Sequence, residues 1–477
     1  MRTTITYNQT DLSDILTVNG IRGRGITPST IDVLNIPGMV GVHLLHKKRI
    51  ERVIGVDFTI AGDKLTSLRD VVNSASQSLD LDEISPLVFS DEPNKTYYAI
   101  SNADADIADI REAGQGTLTF VCPDPHKYAT ERTATFPSDA VTITNEGTAE
   151  ANPIFEITPN KSVTHIDVVH GDGEYMRIGQ PVEIEDTPFD LEALILHDTM
   201  ATLTGWGQAT YVDNGNIAGG MTTDGTSFYP SAYGTVINPP SWQGPSVKKS
   251  LSEPLQDFKA DILIEQNNIG YGNGMLEIYF LDAANNTVAK IGMEDRWPSI
   301  DKNVGKFQLG PIDDRHNVSV EPNANNYWSN FDGLLRIERI GNTWRPYWAL
   351  IQSDGTHMHV KSTIKYMDGL GKYQAPITQI QVAMRKWPTT VETDQRVKDI
   401  NVWKINQEPA GIPYIAHAGN VVTYDFVNNN ILINGESRID LKDFGGSYFK
   451  LTPGSNQLFT FPEGALDTTV KWRPAYK

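Results

Sequence analysis

Apolar and polar residues alternate with a period of two through most of this chain, the pattern of β-strands with one face buried. Val53–Ile60 (VIGVDFTI) opens on two adjacent apolar residues, which predicts burial on both faces at its start. Ala140–Thr144, Ile154–Thr158, Val163–Val169 and Tyr175–Ile178 follow as strands. Turns at Asn145, Glu146 and Gly147 and at Gly171, Asp172 and Gly173 separate them. They are too few for a sandwich, which takes roughly seven strands and about a hundred residues. The missing strands come after a long interruption, as Val421–Val427, Ile431–Ile433, Tyr448–Leu451, Gln457–Phe461 and Thr469–Trp472. A helical period is clearest over Gly62–Ser78, where Leu65, Leu68, Val71, Val72 and Ala75 fall on one face.

The interruption, residues 190–408, also predicts strands. They are Phe258–Glu265, Met275–Leu281, Val288–Met293, Phe307–Leu309, Leu334–Ile340, Thr343–Ile351, Ile377–Arg385 and Val397–Ile405, with a tight hairpin at Gly341 and Asn342. Eight of the nine tryptophans fall inside it, all except Trp472. Long antiparallel strands at this density predict a two-sheet jelly roll. The expected organisation is a β-rich domain with one helix over residues 1–138, a β-sandwich over 139–189 plus 409–477, and an inserted jelly roll over 190–408. An insertion in a loop leaves its host's core intact and commonly carries recognition.

A chain of 477 residues is too long for one core. Its net charge of −19 argues against nucleic acid as the main partner, because phosphate binding needs a basic surface. The single cysteine, Cys122, excludes an intramolecular disulfide framework. Met1–Leu16 contains Asp11 and Asp14 and no apolar core of signal length, so no secretory signal is expected. No apolar stretch has membrane-spanning length, so no membrane partner is expected either.

The sequence contains no metalloprotease helix motif, phosphate-binding loop or nucleophile elbow, and neither catalytic residues nor a cofactor are expected. Glu294 and Asp295 are adjacent, so on a strand they point to opposite faces and cannot flank one glycosidic bond. His357 and His359, Asp104, Asp106 and Asp109, and Asp313 and Asp314 with Asn285 and Asn286 lack complete ligand sets, and no metal site is assigned. The loop Gly270–Gly274 is read as a turn. Strand parity suggests a saccharide-binding face. Ile380, Val382 and Met384 share a core side, opposite Gln379, Gln381, Arg385 and Trp387. Leu276, Ile278 and Phe280 oppose Glu277 and Tyr279, and Trp344, Trp348 and Leu350 oppose Arg345 and Tyr347. If the three polar sides meet on one sheet, amides and guanidinium groups meet sugar hydroxyls while aromatic rings stack on apolar sugar faces. Trp297 and Trp328, among Pro and Asn residues, are further candidates.

Both flanks resemble one family. Asp91–Ala99 (DEPNKTYYA) and Thr119–Tyr128 (TFVCPDPHKY) resemble the N-terminal domain of the distal tail proteins (Dit) of long-tailed, non-contractile phages. Asn145–Pro153 (NEGTAEANP), Phe449–Asn456 (FKLTPGSN) and Val470–Arg473 (VKWR) resemble that family's galectin-like C-terminal domain. The resemblance implies a homohexameric ring at the virion tail tip, assembled in the host cytoplasm and joining tail tube to the tail-associated, or baseplate hub, protein. DNA passes through its channel without specific binding, and a carbohydrate-binding insert, as in evolved members, assists adhesion to host cell-wall polysaccharide. Arg22, Arg24 and the helix are expected ring contacts. Leu335–Trp344 (LRIERIGNTW) resembles a strand pair of concanavalin- and laminin-G-like jelly rolls. Two other roles stay open for the insert: a glycan-degrading jelly roll using Glu277 or Glu294, or a structural decoration.

Overall fold

In the computed structural model the run Val53–Ile60 lies within a strand, Arg52–Ala61, that pairs along its length with Ala113–Cys122. The structure describes residues 3–61, 77, 79, 81–102, 108–110, 113–183, 186–268, 272–322, 327–408 and 411–477. Ile54, Val56, Phe58 and Ile60 face a core, whereas Val53 is half exposed. The two-faced burial expected there is therefore absent: the strand obeys period two from its start. Its sheet runs Thr10–Asp11, Ile5–Tyr7, Ser85–Phe89, Thr96–Asn102, Ala113–Cys122, Arg52–Ala61, Thr17–Arg22. Tyr7, Phe89, Tyr97 and Phe120 fill the core, with the rings of Tyr7 and Phe120 5.1 Å apart. Cys122 is buried there, and burial pushes its thiol up to about 11, so it is chemically quiet. The predicted helix lies outside the described residues apart from Gln77, which is helical, as is Leu79 just beyond it. Asp104 and Asp106, and Gly270 and Tyr271 of the glycine loop, also lie outside them. Arg22 pairs with Asp57 at 2.9 Å, and Arg24 with Asp91 at 2.9 Å and Glu92 at 2.7 Å, so both expected ring contacts are engaged within the chain.

The chain forms two units: Met1–Gly179 with His417–Leu432 and Arg438–Lys477, and Gln180–Ala416 with Ile433–Ser437. In the first, strands from before and after the interruption interleave. Ala140–Asn145 pairs with Gly454–Phe461, which pairs in turn with His165–His170. Ile154–Pro159 lies between Val422–Asp425 and Leu466–Trp472. Phe155, Phe426 and Phe449 pack edge to face between the two sheets, with centroids 4.8 to 6.0 Å apart. Neither half of this sandwich has enough strands to close alone.

The second unit is a sandwich of two large antiparallel sheets. One runs Gly220–Thr223, Phe228–Ala232, Asp394–Ile405, Phe258–Asn267, Asn330–Ile340, Thr343–Ile351, His357–Lys361. The other runs Gly207–Gln208, Ser246–Leu255, Ile377–Arg385, Gly274–Leu281, Thr287–Asp295, Val304–Leu309, His316–Val320. The predicted hairpin at Gly341 joins Ile340 to Thr343, with Gly341 at φ 56°. Trp328, Trp344 and Trp348 are fully buried between the sheets. Gly305 faces Trp348, and a Cβ there would meet the indole at 2.8 Å and Val320 at 2.6 Å. This close approach requires glycine whatever the backbone angle.

The mainly-β class expected from the sequence holds in both units. Among the described residues no helix is long and apolar enough to cross a membrane.

Candidate functional site: the polar face of the second unit

The parity expected of the three strands is correct. Ile380, Val382 and Met384, Leu276, Ile278 and Phe280, and Trp344 and Trp348 all enter the core. The assembly of their polar sides is not as expected. Ile377–Arg385 and Gly274–Leu281 are neighbours, with Tyr279 opposite Gln381 and Glu277 opposite Ala383. Thr343–Ile351 belongs to the other sheet. Arg345 and Tyr347 therefore lie on the far side of the sandwich, where Arg345 pairs with Glu338 and the Tyr347 hydroxyl meets His357 Nδ1 at 2.6 Å. The wrong step was the pairing of distant strands, which local period does not encode.

On the sheet that does hold the polar face, two further strands contribute. Lys290 lies opposite Tyr279, Gln308 opposite Lys290, and Lys306 opposite Gly292. Glu277 pairs with Lys290 at 2.8 Å and with Arg385. A strap of chain, Ala209–Asn214, covers this centre, and Asp213 seals it. The Asp213 carboxylate accepts from Lys290 Nζ at 2.9 Å and Gln308 Nε2 at 2.8 Å. Its carbonyl accepts from Arg385 at 2.6 Å, and its N–H donates to the Tyr279 hydroxyl at 3.1 Å. That hydroxyl donates to Glu277 at 3.0 Å, and Gln381 donates to the Tyr211 carbonyl at 2.8 Å. Just after the strap, a Cβ at Gly215 would meet the Trp242 carbonyl at 2.2 Å and Arg385 at 2.6 Å, so only glycine fits there.

Two carboxylates and two cations balance in a site closed to water. Burial pushes the Glu277 carboxyl up, but Arg385 and Lys290 outweigh it and hold the group at about 2. Burial, and then Glu277, push the Tyr279 hydroxyl well above its ordinary range. Glu277 is thus held charged and Tyr279 neutral, and Tyr279, Gln381 and Arg385 are buried away from any ligand. Gln379 is half buried and donates to the Asp282 carbonyl at 3.2 Å. Trp328, expected on a loop surface, is a core residue packed edge-on to Phe331 at 5.6 Å, because its apolar area outweighs its polar neighbours in sequence.

One end of the face is open. Met275 lies opposite both Arg385 and Glu294, so the chain leaves both flanking strands at the same end. Arg296 and Trp297 follow Glu294 and Asp295, and Trp387 follows Arg385 by two residues. Trp297 is 40% exposed. Asp295 caps the turn by accepting from the Trp297 N–H at 2.9 Å and the Lys302 N–H at 2.8 Å. Trp387 is half buried, and its ring meets Trp242 at 5.9 Å and 72°. Glu294 is held by Arg296 and by Lys306, each at 2.7 Å. Burial lowers both cations. Lys302 Nζ lies 5.5 Å from the Trp297 ring, so this end carries an exposed aromatic face with an ammonium group, next to the buried charged centre.

Sequence reading missed Lys290, Lys306 and Gln308, although parity within Val288–Met293 already set Lys290 against Ala289, Ile291 and Met293. Asp213 carried no signal, since its strap has no period. His357 is engaged by Tyr347 and His359 stacks on Tyr327 at 3.9 Å. The Asn286 amide donates to Asp282 at 2.9 Å, and Asp314 and Asn285 take Lys372 and Lys248. Among the described residues no three His, Cys, Asp or Glu side chains converge as metal ligands.

Comparison with known proteins bears on the flanks first. Residues 5–122 match the family model described as a phage tail protein RIFT-related domain, and residues 382–476 match the C-terminal domain of a siphovirus-type tail component. These define a structural component of a long phage tail. Both flanks are thus similar to domains of the distal tail protein (Dit) family. The chain is 28% identical over 203 residues to the distal tail protein of Bacillus phage SPP1, covering 42% of this chain and 80% of that one. The solved SPP1 Dit structure, described as a paradigm of the hub adsorption apparatus in phages infecting Gram-positive hosts, aligns at TM-score 0.35. That alignment covers 38% of this chain and 75% of the other at 28% identity. The CBM2 module of the evolved Dit of Lactobacillus casei BL23 phage J-1 aligns at TM-score 0.38 and 16% identity, over 46% of this chain and 97% of that module.

Proposed function

We propose that this tail component is a homohexameric ring at the tail tip, joining the tail tube to the tail-associated protein. In this reading residues 1–138 close the ring, residues 139–189 with 409–477 form the outward sandwich, and residues 190–408 bind host cell-wall polysaccharide during adsorption. The observation that carries the binding role is the end of the polar face where the chain leaves Thr287–Asp295 and Ile377–Arg385: Trp297 is exposed there with Lys302 Nζ 5.5 Å from its ring, Trp387 packs on Trp242, and Arg296 and Lys306 pair with Glu294. Indole faces stack on apolar sugar faces while cationic donors meet hydroxyls or acidic substituents. Arg345 and Tyr347, on the far side of the sandwich, are assigned no part in it.

We read the module as a binder and not a hydrolase. A glycosidase acid must carry a proton near neutral pH, which requires a raised pKa. Glu277 is held at about 2 by its two cations, and Glu294 is paired with two more.

The test is binding of the fluorescently tagged full chain to purified walls of candidate hosts. Binding competed by wall polysaccharide, and reduced at least tenfold by Trp297→Ala and Trp387→Ala but not by Tyr347→Ala, is expected. Failure to bind any wall that the intact particle adsorbs to leaves the module a structural decoration. Turnover of wall polysaccharide abolished by Glu277→Gln overturns the non-catalytic reading.

A further inference from the structure

The strap Ala209–Asn214 sits on the polar face much as a bound ligand would. It lies between the short strands Gly207–Gln208 and Gly215–Ile217 and belongs to neither. One backbone bond, from the Ala209 N–H to the Ser246 carbonyl at 3.0 Å, ties its start to the sheet. Beyond that point its hold is concentrated on Asp213, with Val212 adding an apolar contact to Tyr279. Asp213 is buried, whereas Tyr211, two residues earlier, is half exposed. The fit is incomplete at two atoms. Asp213 Oδ1 and Arg385 Nε are both buried and have no hydrogen-bond partner among the described residues. A buried polar atom left unpaired carries its full desolvation cost, so the strap satisfies the centre less fully than the centre permits.

Beneath the strap lies an anion site. Lys290 and Arg385 bring two positive charges, and Glu277, which touches both, brings one negative charge. Asp213 brings the second. Lys290 Nζ and Gln308 Nε2 both aim at one oxygen of its carboxylate, at 2.9 and 2.8 Å. Without that carboxylate the centre holds a buried cation in excess, which favours an anion over a neutral group. The backbone of the strap fills the neighbouring positions. Arg385 Nη1 donates to the Asp213 carbonyl at 2.6 Å, and Gln381 donates to the Tyr211 carbonyl at 2.8 Å. The Tyr279 hydroxyl accepts from the Asp213 N–H at 3.1 Å. One carboxylate, two further acceptor oxygens and one donor are the set that a uronic acid carries in its acid group, its ring and hydroxyl oxygens, and a hydroxyl proton.

We propose that Asp213 stands in for the carboxylate of a uronic acid, and that a saccharide bearing that acid displaces the strap and takes its place on Lys290, Gln308 and Arg385. This assignment rests on the reading of this face as a saccharide binder and names the class of sugar. The aromatic end supplies the approach. Met275 lies opposite both Arg385 and Glu294, and Trp387 follows Arg385 by two residues, so sugars held at that end adjoin the charged centre. A neutral sugar there leaves the strap shut. An acidic one replaces Asp213 charge for charge, which makes the strap a selector for acidic polysaccharide. A phosphodiester brings the same charge in a tetrahedral group, whereas the site holds a planar carboxylate, and the carboxylate is therefore assigned.

The probes are D-glucuronate, D-glucose, which has a hydroxymethyl group in place of the carboxylate, and glycerol phosphate. The full chain is compared as wild type, as Asp213→Ala, and as Asp213→Ala with Lys290→Met. In calorimetric titrations Asp213→Ala is expected to bind glucuronate at least tenfold more tightly than wild type does, and at least tenfold more tightly than it binds glucose. Lys290→Met is expected to remove that gain. A second measurement needs no variant: amide exchange of the strap in the wild-type chain, with each probe in large excess. An ordinary ligand slows exchange where it binds, but glucuronate is expected to speed that of residues 210–214 at least tenfold, and glucose to leave it unchanged. Equal binding of glucose and glucuronate by Asp213→Ala overturns the anion site. Strap exchange unchanged or slowed by glucuronate overturns the displacement, and wall binding by the wild-type chain then leaves the reading of the face as a saccharide binder standing. Glycerol phosphate bound as tightly as glucuronate overturns the choice of a carboxylate. A chain that binds no host wall, while glucuronate still opens the strap, overturns the adsorption role and not the strap.

Discussion

The indole of Trp348 lies so close to Gly305 that the smallest side chain there collides with it. Gly305→Ala is expected to destabilise the second unit by about 1–3 kcal/mol through overpacking, and Trp344→Ala by about 3–5 kcal/mol through loss of a buried ring. Thermal melts of the full chain should show the transition of that unit moving and the other staying in place. Glu277 makes a different prediction. Glu277→Gln leaves Arg385 and Lys290 short of a counter-charge, a loss of about 3–5 kcal/mol near neutral pH. The sign with pH follows from a carboxyl held at about 2 in the folded chain against an ordinary 4.5. Its contribution is complete above about pH 4.5 and is lost as pH falls through 2. Urea melts from pH 7 to pH 2 should therefore show wild type and Glu277→Gln converging on the acid side.

At the level of elements, the strap Ala209–Asn214 is held to the sheet mainly through the polar atoms of Asp213 and the Tyr211 carbonyl. Asp213→Ala removes the carboxylate that Lys290 and Gln308 share. Amide exchange in the strap is expected to rise by at least tenfold, with the strands beneath little changed. Protection left as in wild type would show that Val212, packed against Tyr279, suffices to hold it. The strap also marks the limit of what a sequence conveys. Period two assigned the buried and outward sides of Ile377–Arg385, Gly274–Leu281 and Thr343–Ile351 correctly, because side-chain alternation is a local property of one strand. It did not show that the third strand lies in the other sheet, because pairing is decided between segments far apart. Nor did it show that an aperiodic loop bearing one aspartate fills the centre of the polar face. Trp328 was misplaced for a related reason: its polar sequence neighbours suggested a surface, and tertiary packing made it core.

For the whole molecule, the charge of −19 bears on the proposed conduit. A wall that repels phosphate lets DNA slide, whereas a basic one holds it through counterion release. The assembled ring is expected not to retain linear DNA at about 50 mM salt, and retention in a gel-shift assay at that salt would contradict a passive channel. The interleaved sandwich has a consequence for synthesis. Asn145 completes its hydrogen bonds on Leu451, 306 residues later in the chain. On the ribosome, the early strands wait unpaired while the whole second unit emerges and folds. The last strands to be made are those that close the first unit, so the chain times its own completion. A prematurely terminated chain is left with an open sandwich, a form that quality control in the host can recognise before a defective subunit reaches a tail.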